Sequence, residues 1–213
     1  MYISKKIPSL IISLFFIISN TWANQTTNDI AQNMESKWTP FQVSVWEKPR
    51  WLHMFPADMD VYGIRLGMPY AGDSRSMHDV YGVDVGCLGI SKSIKGTTIC
   101  GLGGMNWEID GMALFGFAGE GLKVNGFVVA GGFALVGNLT GGVFGGLVTL
   151  CSDVTGVQCA GICNLAEKVN GLQLALINVA DSGLQFGLLN FNKNGFISVS
   201  PFVNFGREEE SEK

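Results

Sequence analysis

The residues of this chain best suited to chemistry are few and scattered. Asp73, His78 and Asp79 form the one close histidine–carboxylate cluster, a combination used for proton transfer or metal ligation. They sit in the longest connection between apolar segments, and no further partner stands at a matching spacing, so the cluster reads as a solvated loop. His53, between Trp51 and Phe55, reads as structural. The glycine clusters Gly101 to Gly104 (GLGG) and Gly119 to Gly121 (GEG) have the composition of phosphate loops. Neither leads into Lys-Ser/Thr or fits a strand–turn–helix unit, so both read as backbone glycines. No serine has a nucleophile-elbow context. Five cysteines (Cys87, Cys100, Cys151, Cys159 and Cys163) show no paired CxxC spacing and leave at least one thiol unpaired in a monomer. Cys87, Cys100, Cys159 and Cys163 fall where other segments carry Gly, Ala or an aliphatic residue, which predicts small buried side chains. No catalytic residue, metal ligand or cofactor site is assigned.

The polar residues that do recur recur with the backbone. Between Val154 and Phe191 three units open on Gly156, Gly171 and Gly183, place Gln158, Gln173 and Gln185 two residues later, and close on Asn164, Asn178 and Asn190. These nine residues are assigned as structural ladder positions. The same phase extends backwards through Gly141, Gly126, Gly111, Gly96, Gly82 and Gly63 and forwards to Gly195, at intervals of 19, 14, 15, 15, 15, 15, 15, 12 and 12. A fixed short period is the signature of a repeat architecture.

Within each unit the first and third residues after the glycine are mostly aliphatic or aromatic. The second varies through Arg65, Asp84, Thr98, Ala113, Val128 and Val143 to the three glutamines. The fourth is generally small, with Phe115 the exception. Alternation over four places predicts β-strand rather than helix. LKVNG, GNLTG, SDVTG, EKVNG, ADSG and NKNG read as turns between strands. Asp110, Glu120, Lys123, Asp153, Glu167, Lys168, Asp181 and Lys193 all fall in such connections.

The ends of the chain set the compartment. Met1 to Ala23 reads as a secretory signal peptide, with Lys5 and Lys6 before an uncharged apolar run and Thr21-Trp22-Ala23 at the cleavage point. Residues 24–60 read as a polar lead-in, a first strand (Phe41 to Trp46) and an irregular cap. Residues 61–206 form the β-repeat domain, and 207–213 a charged disordered tail. Glycine is about twice its usual share, at 29 of 213 residues, and only 15% of residues are charged. Loss of the leader takes the formal charge from −4 to −6, which argues against nucleic-acid binding.

Two architectures fit: a parallel β-solenoid of 12–15-residue repeats, or an antiparallel up-and-down outer-membrane β-barrel. Stacked coils explain why every unit has one phase, because Gln then lies over Gln and Asn over Asn about 4.8 Å apart. The barrel has charge-free runs near the ~9–11 residues that cross a bilayer, and would turn Arg65, Asp84, Gln158, Gln173 and Gln185 toward its lumen. It lacks the usual aromatic girdles, since no Trp follows Trp107 and no Tyr follows Tyr81. Pro201, in the final alternating segment, predicts an edge strand or end cap.

The units GVQCAGICN, GLQLALIN and GLQFGLLN resemble the tandem G-[VL]-Q-x-[AG]-L-x-N blocks of exported bacterial surface-repeat proteins of uncharacterised activity. The resemblance covers residues 41–205 and includes FQVSVW, VYGIRLGMPYAG, VYGVDVG and PFVNF, while Gly96 to Gly146 departs, with neither Gln nor closing Asn. It implies a cell-surface or outer-membrane location. The expectation from the sequence is a non-enzymatic, exported structural or adhesive module that contacts the outer membrane or a surface ligand. A small outer-membrane barrel is the alternative.

Overall fold

A computed structural model describes residues 38–45, 59–71 and 78–206. The segment read as a signal peptide, the lead-in to Lys37, most of the cap (including His53), Asp73 and the charged tail lie outside the described residues.

The described chain is all-β, and its stacked parallel coils form a β-solenoid of about 8 turns. Its strands are β1 (Trp38–Val45), β2 (Asp60–Ala71), β3 (Asp79–Phe115), β4 (Ala118–Ala130), β5 (Phe133–Gly145), β6 (Val148–Ala160), β7 (Cys163–Leu165), β8 (Lys168–Leu174), β9 (Ile177–Ala180), β10 (Gly183–Asn192) and β11 (Val199–Gly206). Successive coils pair in parallel, and among the described strands only β10 with β11 is antiparallel. The barrel alternative is therefore overturned: an up-and-down barrel needs antiparallel neighbours at every strand.

Register follows the glycines. Gly126 pairs with Gly141, Gly141 with Gly156 and Gly156 with Gly171, and β3 stacks Gly82, Gly96 and Gly111 on one another within its own length. Nine glycines from Gly63 to Gly183 turn the chain at φ between +100° and +153°. This is a region that side-chain-bearing residues rarely adopt. The last coils shorten in two places. Cys163 pairs with Ile177, one residue short of the 15-residue repeat at that corner, and Gly183 follows Gly171 by 12.

Gly195 does not open another coil. It bridges Gly206 antiparallel, and the chain reverses so that β11 lies on β10 as the edge strand, with Pro201 in it.

The coil interior draws on a position that composition disguises. From Gly63 to Gly171 the residue two before the corner glycine is aliphatic: Val61, Val80, Ile94, Ile109, Val124, Leu139, Val154 and Val169, each at most 3% exposed, whereas Asp181 holds that place before Gly183. LKVNG, SDVTG and EKVNG were expected as wet turns, and this is corrected. Strand pairing runs through these segments, and their aliphatic residue is the most regular core column in the molecule. The extended backbone alternates, so the flanking polar residues point out while the aliphatic one points in.

The exceptional Phe115 has its own accommodation. A Cβ on Gly119 would lie 1.9 Å from the Phe115 ring and one on Gly104 2.5 Å from it. The GLGG and GEG clusters thus make room for one large side chain.

Candidate interaction surface

The ladder residues lie inside the coils. Gln158, Gln173 and Gln185 are fully buried, as are Asn164, Asn178 and Asn190. Gln173 Nε2 donates to Gln158 Oε1 at 2.8 Å, and Gln185 Nε2 to Gln173 Oε1 at 2.8 Å. Asn164 Nδ2 donates to Asn178 Oδ1 at 2.9 Å, and Asn178 Nδ2 to Asn190 Oδ1 at 2.8 Å. Thr149 joins the two columns: its hydroxyl donates to Asn164 Oδ1 (2.5 Å) and accepts from Gln158 Nε2 (2.8 Å). The buried amides therefore offset their lost hydration along the stack, except at its last rung, where Gln185 Oε1 has no partner among the described residues. Gly156, Gly171 and Gly183 are the corners that hold the glutamines in register.

The same inward column changes character along the axis. Val128 and Val143 occupy it in the middle coils, Thr98 and Ala113 before them, and Arg65 and Asp84 near the start, all buried. Arg65 Nε and Nη2 each donate to an Asp84 carboxylate oxygen at 2.8 Å. Ser91 also accepts from Arg65, and Thr98 Oγ1 donates to Asp84 at 3.1 Å. A bidentate pair with further hydroxyl partners is the arrangement in which a buried ion pair is tolerable.

Asn106 is the misfit. It is buried, and neither its amide oxygen nor its nitrogen has a side-chain or backbone partner. Replacing it with the similarly sized leucine removes both unmade bonds. Asn106→Leu is expected to stabilise the chain by about 1–3 kcal/mol, read as a higher urea midpoint. An unchanged or lower midpoint contradicts that account.

With polar groups inside, the apolar residues of the alternation face out. The first and third residues after the corner glycines give Ile64, Leu66, Met112, Phe127, Val129, Phe144 and Phe186, all exposed. A second face, one edge further round the coil, carries Met105, Phe133, Leu189 and Phe191. The faces meet at a corner made by Leu102, Phe117, Leu147, Ile162, Leu176 and Leu188, of which Phe117 is 56% and Leu188 58% exposed. Phe117 packs edge-on against Phe133 at 5.5 Å.

Charge collects on the remaining edge. Lys92, Lys95, Glu108, Asp110, Lys123, Asp153, Glu167, Lys168 and Asp181 all lie within four residues before a corner glycine. Lys123 pairs with Glu108 and Lys193 with Asp181, each at 3.0 Å. Several of these charges lie within strands rather than between them: Asp110 in β3, Lys123 in β4, Asp153 in β6 and Lys168 in β8.

Glu120 is the departure from this segregation. It aligns with Met105 and Leu135 on the second apolar face, and burial pushes its carboxyl above the ordinary range. A raised folded-state pKa favours the neutral acid. Its contribution is present below the unfolded carboxyl range and is lost as pH rises through the folded value. Glu120→Gln is therefore expected to raise the urea midpoint at pH 7, with the gain shrinking toward pH 4. A gain independent of pH contradicts the assignment.

His78 and Asp79 lie together, with His78 Nε2 and Asp79 Oδ1 buried and without a hydrogen-bond partner among the described residues. His78 Nδ1 lies 3.5 Å from Asp60 Oδ1, and the same oxygen accepts the Asp79 backbone N–H at 3.1 Å. All five cysteines are free. Cys100 and Cys151 are buried, whereas Cys87, Cys159 and Cys163 are only half-buried, which corrects the expectation for those three. Burial pushes the Cys100 thiol up to about 11 and raises Cys151 and Cys163 as well, so these thiols stay protonated and weakly nucleophilic near neutrality.

Fold and surface together define an amphipathic parallel β-solenoid with amides in its interior. No family model, curated protein or solved structure matches the chain.

Proposed function

We propose that the chain is an exported, non-catalytic structural or adhesive module of the bacterial surface or outer membrane. The observation that carries this reading is the inverted side-chain distribution. Gln and Asn, the repeated polar residues, are engaged inside the coils, while the exposed faces are apolar and suited to contact. The leader-like first 23 residues and the resemblance of the Gln/Asn units to exported surface repeats support the same compartment.

The test is expression of the full chain in a Gram-negative host, followed by fractionation and by protease treatment of intact cells. The expected result is recovery in the outer-membrane fraction with cleavage by external protease. Recovery in the cytosol or the soluble periplasm overturns the reading.

A further inference from the structure

We propose that the two apolar faces and the corner between them dock into the hydrocarbon–headgroup region of a lipid bilayer, leaving the charged edge in water. This deepens the surface-module reading and rests on it.

The first argument is the division of charge. Side chains on the corner (Leu102, Phe117, Leu147, Ile162) and on the first face (Phe127, Phe144) carry no charge, the second face carries Glu120, which burial holds toward the neutral acid, and the opposite edge carries both signs nearly balanced. A bilayer interface matches that division, with hydrocarbon on one side and water on the other. The balance of signs predicts attraction by apolar burial rather than by anionic headgroups.

The second argument is shape. A folded partner, or a second copy meeting this one across a single two-fold interface, covers one flat face. Here two faces converge on an exposed corner, and the reversed last strand leaves Phe202, Val203 and Phe205 exposed at the end of the stack. Terminal repeats of soluble solenoids carry a polar outer face. A fluid phase covers both faces and the corner together, while the open edge of β11 stays in water.

The third argument is the backbone. Groups in contact with hydrocarbon must have their hydrogen bonds made within the protein. The N–H and C=O groups along these faces pair coil to coil, as in the ladders of β4 on β5 and β5 on β6, which keep one register and skip a single rung on the charged side, at Leu122, Gly137 and Ser152. The polar side chains of the Gln and Asn columns are sequestered inside. The faces can therefore meet lipid without presenting unpaired groups.

The experiment is flotation of the exported full chain, recovered from the expressing cells, with phosphatidylcholine vesicles. The comparison is a Leu147→Asp/Ile162→Asp variant of the corner and a Lys123→Glu variant of the charged edge. The wild type and Lys123→Glu are expected to float with the vesicles, in 1 M salt as in 0.1 M. The corner variant is expected to lose at least tenfold in partition while keeping the β circular-dichroism spectrum and urea midpoint of the parent. A folded wild type that stays at the bottom overturns the proposal. So does flotation only with anionic vesicles that salt abolishes. A corner variant that floats like the wild type also overturns it, as does one that instead dissociates an oligomer by sedimentation, because a second copy then occupies the corner. Fractionation of cells expressing the wild type separates the two proposals. Surface exposure of a wild type that does not float removes this inference alone, and its cytosolic retention removes the reading beneath it.

Discussion

Gly141→Ala is expected to destabilise the solenoid by about 3–5 kcal/mol, a large fraction of the ~5–15 kcal/mol that holds a domain folded. Two costs combine. The residue turns the chain at φ +129°, where a side chain adds roughly 1–3 kcal/mol of backbone strain. An alanine Cβ would also lie 2.1 Å from the Gly126 carbonyl oxygen and 3.0 Å from its carbon. Backbone cannot step aside as a side chain can, so the coils must separate at that rung and weaken the parallel pairing on either side. Gly101→Ala is the matched control, because a Cβ there meets nothing closer than 3.9 Å. That variant is expected to hold or gain a few tenths of a kcal/mol through reduced freedom of the unfolded chain. Urea unfolding of the two variants decides it. Equal midpoints contradict the stacked-corner account.

Much of this architecture was legible in the sequence, and the reason is physical. Parallel stacking puts equivalent residues over one another, so each structural requirement is repeated as a residue type at a fixed spacing. Corner glycines, the Gln and Asn columns and the edge strand with Pro201 could all be read that way. What could not be read was direction. Alternation shows that Phe127 and Val128 point to opposite sides, but not which side is inside. Hydrophobicity alone would place Ile64, Phe127 and Phe186 inside and Arg65 and Gln185 outside, the reverse of the arrangement found. The coils are narrow, and a small interior shared by two close faces selects stackable amides and small aliphatics over rings. The signal that fixes the direction was present at Val61, Val80, Ile94, Ile109, Val124, Leu139, Val154 and Val169. Polar neighbours such as Lys123-Val124-Asn125 hid it by giving each segment the composition of a turn.

The charges were misplaced for a related reason. A charged residue was taken to mark the end of a strand, but in a coil with one wet edge the strand continues beneath it. Lys123 and Asp153 sit inside β4 and β6, each paired with Asn138 and each followed by further paired residues. Glu120 was grouped with them because its flanking glycines look like a loop. Gly119 makes room for the Phe115 ring and Gly121 for Val124 and Ile109, and Glu120 lies on the apolar face instead.

The most direct test of the inverted arrangement exchanges chemistry at two adjacent residues. Gln173 is fully buried and bonded to the glutamines of the coils on both sides, while Leu174 beside it is exposed. Gln173→Leu nearly conserves volume but leaves Gln158 Oε1 without its donor and takes one acceptor from Gln185 Nε2. Orphaned buried groups cost about 1–3 kcal/mol each, so a loss of roughly 3–5 kcal/mol is expected with the broken bonds. Leu174→Gln puts an amide into water and is expected to shift stability by less than about 1 kcal/mol. The measurement is the urea midpoint of the two single variants against the parent. A collapsed Gln173→Leu beside a near-native Leu174→Gln is the result predicted here. The reverse order, with the outward amide ruinous and the inward leucine harmless, would contradict it.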